Sequence, residues 1–151
     1  MKIMIHNVKG TNMSQNNLMP PIGFNEASEG TARKTIGSFF GKLFEARDFA
    51  HHAHLQTKSY SQHKALGSFY ESIVDLADTF FEVHAGQYGI TKFNMSAAPS
   101  NTDVIAYFEN LAKTVANTHN VVDKKDTHLH NILDEITAEV YHLLYKLKNL
   151  K

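Results

Sequence analysis

The stretch HHAHLQTKSYSQHKALGSFYESIVDLADTFFEVH, residues 51–84, contains the end of one predicted helix, a short polar break and all of the next helix. Four acidic residues lie along the second helix, and because each helical residue turns by about 100°, their side chains fall within about 40° of the first of them. These residues are Glu71, Asp75, Asp78 and Glu82. The apolar residues of the same helix lie on the opposite side, so the stretch predicts an amphipathic helix whose acidic stripe points away from the core.

Three more segments follow the helical period, and the four predicted helices span about 28–58, 61–84, 102–119 and 127–147. Gly86 and Gly89 are expected to end the second helix, and Ser100 or Asn101 to cap the third. The fourth helix has the clearest apolar stripe. Four amphipathic helices with mostly short links predict an all-α, antiparallel four-helix bundle.

The predicted bundle domain covers residues 26–151, and residues 1–25 are expected to form an irregular tail or a wrapping arm. This N-terminal segment is rich in Asn, Gly and Pro and has no helical period. It contains the single strand candidate of the chain, Lys2–Ile5. Its basic residues are Lys2 and Lys9, which does not support a DNA-binding tail.

The composition of the chain limits the kinds of function and the metals that are expected. The 151 residues suffice for one domain, and 15 basic and 15 acidic side chains give a balanced charge rather than a nucleic-acid-binding surface. Without cysteine, any metal must be held by histidine and carboxylate, which favours iron, manganese or zinc. No apolar run is long enough to span a membrane and no signal peptide is evident, so a cytoplasmic protein is expected.

A second apolar strip lies beside the acidic stripe and includes Tyr70, Val74 and Phe81, with His63 on the same line. An exposed strip of this kind needs cover from another subunit or from a wrapping segment. In the first helix, His54 lies close to the buried side and is expected to be held rigidly, whereas His52 shares the outer side with Glu45 and Asp48.

Two interpretations of the acidic stripe remain open. A row of acids is often simply a solvated face, and a histidine in a bundle often only hydrogen-bonds a neighbour. Four aligned carboxylates nevertheless repel one another, and no lysine or arginine lies among them. A bound cation would offset that repulsion.

The spacing of these residues resembles that of the DNA-protection-during-starvation (Dps) family of ferritin-like proteins. In that family, one histidine lies near the end of the first long helix, a second opens the next helix, and an Asp and a Glu four residues apart follow. His54 in AHHAHLQTKS matches the first histidine and His63 the second, and Asp78 and Glu82 lie fifteen and nineteen residues after His63. The resemblance covers about residues 30–150, and it is strongest over residues 50–84.

The resemblance implies a ferritin-like bundle that oxidises Fe(II) as a ferroxidase and stores or detoxifies iron. Its metal ligands would be His54 and His63 from one subunit and Asp78 and Glu82 from another, with zinc or manganese as other possible metals. The implied assembly is a homo-oligomer, at least a dimer, and a twelve-subunit cage in the family.

Three departures from the family pattern favour an alternative function. Gly67 stands where the family has an acidic ligand, so Glu71 or Asp75 would have to substitute for it. The segment between the two histidines is three residues shorter than usual, and the loop after the second helix is shorter than in the family, which has a small helix there that helps form the dimer. The alternative is a ferritin-like bundle without ferroxidase activity that serves as a structural or protein-interaction module. A site inside one bundle is a third possibility, with the candidate ligands Glu45, Asp48, His52, Glu139 and His142.

Overall fold

The computed structural model describes residues 26–151, and these form four helices. The helices are α1 (Glu26–Gln56), α2 (Tyr60–Tyr88), α3 (Val104–His119) and α4 (Thr127–Asn149). The predicted all-α bundle is therefore confirmed for this part of the chain. The N-terminal tail and the strand candidate Lys2–Ile5 lie outside the described residues.

Two helix boundaries differ from the predictions. Gly86 lies inside α2, which continues to Gly89, where a φ of 80° allows the chain to leave the helix. The cap of α3 is Asp103, whose carboxylate accepts a hydrogen bond from the Ala106 backbone N–H at 2.8 Å, rather than Ser100 or Asn101. The acid is the better-placed cap because it directly precedes the first helical turn.

The four helices pack in a ring in which α1 and α4 each contact both α2 and α3. The start of α2 meets the end of α4 where Ser61 donates to the Leu150 carbonyl, and the end of α2 meets the start of α4 where His128 contacts Gln87. In the first half of α3, Glu109 pairs with Lys148 near the end of α4. All neighbouring helices are therefore antiparallel, while α2 and α3, on one diagonal, run in the same direction.

A crossover segment, residues 89–103, connects these two parallel helices and passes along α1. Its backbone approaches α1 at Gly37 and Gly41, where a Cβ atom would meet the carbonyl oxygens of Lys92 and Asn94. The absence of side chains at these two positions makes room for the segment.

Phenylalanine rings fill much of the core between the helices. Phe39 packs edge-on against Phe80 with ring centroids 5.6 Å apart, and Phe69 packs against Phe108 at 5.0 Å. Burying a side chain of this size contributes about 1.5–3 kcal/mol. None of the helices in the described part of the chain is long and apolar enough to cross a membrane.

The apolar strip beside the acidic stripe is covered within the chain. Phe81 packs against Phe40 of α1 at 4.8 Å and against Phe93 of the crossover segment at 5.8 Å, and Tyr70 stacks on His51 of α1 at 4.4 Å. The sequence left open whether another subunit or a wrapping segment of the same chain covers this strip. Over Phe81, the cover is the crossover segment of the same chain.

Candidate functional site at the α1–α2 corner

The turn between α1 and α2 brings the two predicted histidine ligands together. Only residues 57–59 separate the helices, and Ser59 caps α2 by accepting a hydrogen bond from the Gln62 N–H. This tight reversal places His54, near the end of α1, beside His63, in the first turn of α2. The expectation that His54 is rigidly held agrees with this arrangement.

The two histidines form a reciprocal pair. The Nδ1 atom of His54 lies 2.7 Å from the carbonyl oxygen of His63, and the Nδ1 atom of His63 lies 2.9 Å from the carbonyl oxygen of His54. Their rings stack with centroids 3.7 Å apart. Because a carbonyl oxygen only accepts, each Nδ1 must carry the proton. Each neutral ring therefore keeps a lone pair on Nε2.

The pair belongs to a larger group, here called the histidine corner, that comprises His51, His54, His63, Gly67 and Tyr70. The ring of Tyr70 stacks on His51 and meets His54 edge-on at 5.3 Å. All four side chains of the corner are partly buried. These contacts restrict the orientation of the rings and hold the corner in one arrangement.

Gly67 occupies the position at which the resemblance implies an acidic ligand. A Cβ atom at this position would lie 3.2 Å from both Cε1 and Nδ1 of His54. The ring of His54 therefore packs directly on the α2 backbone at Gly67 and uses the space that a side chain would need.

Gly67→Ala is expected to weaken the corner because the new methyl group presses on the edge of the His54 ring that donates to His63. The expected loss in the free energy of unfolding is about 1–2 kcal/mol, after allowance for the better helix propensity of alanine. Urea denaturation measures it. Ser68→Ala, at the exposed neighbouring position, is the control with a change of less than about 0.5 kcal/mol. A Gly67→Ala protein as stable as Ser68→Ala would show that the ring does not need this contact.

The acidic stripe lies on the outer side of α2, as the helical projection predicted. All four carboxylates are exposed, and no ion pair reaches any of them from the described part of the chain. Asp78 is fifteen residues from His63, which separates them by about 22 Å along the helix. One chain therefore does not bring the histidines and the acid pair together, and the described residues contain no group of three metal-ligating side chains.

The candidate ligands for a site inside the bundle are also separate. Glu45 accepts hydrogen bonds from Lys42 at 2.5 Å and from the Tyr107 hydroxyl at 2.9 Å, while Glu139 accepts one from Ser72 at 2.6 Å. The remaining three candidates are Asp48, which pairs with Arg47, and the exposed histidines His52 and His142. Burial and the hydrogen bond to Glu45 raise the pKa of Tyr107.

The opposite end of the bundle contains a polar network that the sequence reasoning missed. The buried carboxylate of Asp126 accepts hydrogen bonds from Gln87 at 2.8 Å and from the Tyr88 hydroxyl. His84 is also buried, and its Nδ1 has no hydrogen-bond partner among residues 26–151. The helical projection could have predicted that His84 is buried, because it places His84 about 140° from the acidic stripe, on the apolar side of α2.

The buried histidine predicts a pH dependence of stability. Burial, together with the nearby Arg33 charge, lowers the pKa of His84 in the folded state, with a smaller opposing effect from Asp126. As the pH falls below about 6.5, His84 becomes protonated in the unfolded chain but stays neutral in the folded protein. The unfolded state therefore binds more protons, and the free energy of unfolding decreases. One such proton changes the free energy of unfolding by at most about 1.4 kcal/mol per pH unit.

His84→Gln is expected to reduce the loss in the free energy of unfolding at low pH, because glutamine has a similar size and does not titrate. The measurement is urea denaturation at several pH values between about 5 and 7.5, with exposed His52→Gln as the control. If His84→Gln and His52→Gln have the same pH dependence, the effect does not arise from His84.

Comparisons with known proteins identify a family but no activity. The model of a family of unknown function, DUF5856, matches residues 54–147. This match covers more than half of the chain, so the chain belongs to the DUF5856 family. The chain is also similar to an uncharacterised 14.6 kDa protein from the mobD–ri intergenic region of Enterobacteria phage T4, with 27% identity over 127 residues, 82% of this chain and 96% of the phage protein. No solved structure matches the chain.

Proposed function

We propose that this DUF5856 protein binds Fe(II) at a site shared by two copies of the chain, and that it oxidises the bound iron. His54 and His63 of one copy and Asp78 and Glu82 of the other are the proposed ligands. The observation that carries the proposal is the reciprocal pair of hydrogen bonds at the histidine corner, which leaves both Nε2 lone pairs for a ligand. Histidines that bind metals typically donate their other ring N–H to a carbonyl or carboxylate in this way.

The donor set suits a divalent transition metal. Imidazole nitrogens and carboxylate oxygens bind Fe(II), Mn(II) and Zn(II). The exposed carboxylates of the acidic stripe have no ion-pair partner among residues 26–151. Because His63 and Asp78 are about 22 Å apart along α2, the acids must come from a second copy. Glu71 or Asp75 then replaces the acid that is absent at Gly67.

The topology supports placing this bundle with the ferritin-like folds. Ferritin-like bundles contain one long crossover connection, and residues 89–103 make such a connection between the parallel helices α2 and α3. A homodimer is the smallest assembly that completes the proposed site, and a twelve-subunit cage is the larger assembly implied by the resemblance.

The proposed reaction takes its electrons from iron, its oxidant is hydrogen peroxide, and its protons come from solvent. Two Fe(II) ions give up one electron each, and hydrogen peroxide takes up these electrons and two protons to become two water molecules. The protein contributes by holding Fe(II) with neutral imidazole and hard carboxylate ligands. Storage of the ferric product depends on whether a closed cage forms.

A second candidate function is a structural or interaction module without ferroxidase activity. The packing of His54 against Gly67 favours this second function, because the ring occupies the space that an acidic ligand at position 67 would need. The reciprocal hydrogen bonds between His54 and His63 would in that case only stabilise the α1–α2 turn. In that case the acidic stripe is solvated or meets a protein partner.

Anaerobic titration with Fe(II), followed by peroxide and the absorbance of the ferric product, distinguishes the two functions. The metal-binding proposal predicts saturable binding that His63→Ala and Asp78→Ala each abolish. His142→Ala and Glu135→Ala remove an exposed histidine and an exposed acid of α4, and both are expected to bind as the wild type does. No saturable binding would exclude the proposed site and favour the interaction module. Equal binding by all four variants would also exclude the proposed site, because Fe(II) would then bind elsewhere.

A further inference from the structure

A cleft between the start of α2 and the end of α4 contains three lysines that belong to neither the histidine corner nor the acidic stripe. Its volume is about 830 Å³, within the range of sites that bind small organic molecules. The lysines are Lys64 of α2, Lys146 of α4 and Lys151, just after the end of α4. None of the residues that line the cleft has an acidic side chain. This basic cleft is a candidate site for an anion.

Small side chains of α2 leave the space that forms the basic cleft. Three of them are spaced four and three residues apart, so they lie on one side of the helix, toward α4. These residues are Ser61, Ala65 and Ser68. Two hydrogen bonds hold α2 to α4 along this seam. Ser61 donates to the Leu150 carbonyl at 3.3 Å, and Ser72, one turn after Ser68, donates to Glu139 at 2.6 Å.

The charge of the three lysines is not balanced within the described part of the chain. None of the ion pairs among residues 26–151 involves a lysine of the cleft. No acidic residue occurs in the segments 49–70 and 140–151, which supply the cleft. The acids closest to these segments on α4 and α3 have other partners, since Glu139 accepts from Ser72 and Glu109 pairs with Lys148. An anionic ligand would therefore relieve the repulsion among the lysines.

The lysines, rather than the helix ends, determine the charge of the ligand. The start of α2 contributes about half a positive charge and the end of α4 about half a negative charge. These two contributions oppose each other because the antiparallel helix ends meet at the cleft. The three ammonium groups together carry three positive charges, and each offers three N–H donors. The cleft therefore suits an anion with several negative charges and many acceptor oxygens.

The basic cleft also has an aromatic wall. Tyr60, the first residue of α2, lines it with a side chain that is 78% exposed, so the ring is accessible to a ligand. Leu150 and the buried Ala65 add apolar surface beside it. A flat ring can stack on Tyr60 while negative groups attached to that ring reach the lysines. The ligand class that combines these two parts is a nucleotide.

We propose that the basic cleft binds a nucleoside triphosphate, with the base stacked on Tyr60 and the phosphates held by Lys64, Lys146 and Lys151. Phosphate oxygens accept charge-assisted hydrogen bonds from ammonium groups, and any base stacks on an aromatic ring. The proposal concerns binding, and no bond of the nucleotide is made or broken. The cleft is separate from the proposed iron site, because it lies on the α4 side of α2 whereas His63 faces α1.

Calorimetric titration of the full chain with ATP and with inorganic triphosphate, without added metal ions, tests the proposal. ATP should bind saturably at one site per chain, with an affinity that falls as the salt concentration rises. Lys64→Gln and Lys146→Gln should each weaken the binding of both compounds by about tenfold, the ratio for one charge-assisted hydrogen bond. Lys113→Gln removes an exposed lysine of α3 and is the control, which should bind as the wild type does.

Tyr60→Ala separates the contribution of the base from that of the phosphates. It should weaken ATP binding by about tenfold, the effect of losing one stacked base, and leave triphosphate binding unchanged. No saturable ATP binding, or an equal loss in Lys113→Gln, would overturn the proposal. Unchanged ATP binding by Tyr60→Ala would also overturn it, because the ligand would then be a polyanion without a ring. A single-stranded oligonucleotide that binds more tightly than ATP would do so too, since the ligand would then be a nucleic acid.

Discussion

Gly41→Ala is expected to lower the free energy of unfolding by about 3 kcal/mol or more, at the upper end of the range for overpacking. The added Cβ atom would overlap the carbonyl oxygen of Asn94 and lie 3.4 Å from its carbonyl carbon. Because the opposing atoms are backbone, no side-chain rotation relieves the overlap, and the crossover segment must move away from α1. Urea denaturation measures the loss of stability, and amide exchange over residues 91–96 should show the displaced segment.

Gly86→Ala is the matched control because it makes the same chemical change inside α2, where no other part of residues 26–151, apart from the surrounding helix backbone, lies within 4 Å of the new methyl group. It is expected to raise the free energy of unfolding by about 0.5–1 kcal/mol, since alanine is the better helix former. If Gly41→Ala were as stable as Gly86→Ala, the crossover segment would not rest on α1 at this position, and the close approach at Gly41 would be wrong.

Phe40→Ala should lower the free energy of unfolding by about 3–5 kcal/mol, the cost of truncating a buried phenylalanine. The Phe40 ring is completely buried and packs against Phe80 of α2, Phe81 beside it and Phe93 of the crossover segment, with centroids 4.8–5.8 Å away. The substitution removes the ring that joins three parts of the chain. Since small domains are stable by about 5–15 kcal/mol, the variant should be largely unfolded at moderate urea concentrations.

Tyr141→Ala is the control for this prediction because its side chain on α4 is 59% exposed. Its effect should stay within about 0.5 kcal/mol. A Phe40→Ala protein that unfolds at the same urea concentration as Tyr141→Ala would contradict the assignment of Phe40 to the centre of the core.

The apolar periodicity of α2 and α4 was enough to predict the bundle and the outward direction of the acidic stripe. Phe69, Ile73 and Phe80 are buried, as their helical spacing predicted, because residues that repeat every three to four positions lie on one side of the helix, and this side of α2 faces the core. The parallel arrangement of α2 and α3 was not predicted, since it depends on how residues 89–103 cross the bundle. That path depends on Gly37 and Gly41, and the sequence pattern does not show which backbone will approach them.

The candidate site was predicted in part. The family resemblance made His54 and His63 ligands from the same subunit, and the α1–α2 turn places their rings side by side. The close fit between the His54 ring and Gly67 was not predictable, because it depends on ring orientation rather than on helical position. The contact between His119 at the end of α3 and His130 in the first turn of α4, whose Nδ1 atoms are 3.1 Å apart, was missed for a similar reason, because it forms only after the connection at residues 120–126 has folded.

A complementation experiment tests the shared iron site most directly. One protein would carry His54→Ala and His63→Ala, the other Asp78→Ala and Glu82→Ala, and neither should bind Fe(II) alone. After the two proteins are mixed and allowed to exchange subunits, each mixed dimer should regain one of its two sites, because a two-fold dimer places the intact histidines of one copy against the intact acids of the other. Recovery of Fe(II) binding in mixed dimers, confirmed by sedimentation, is the predicted result. Mixed dimers that bind no iron, while wild-type dimers do, would contradict a site shared between subunits.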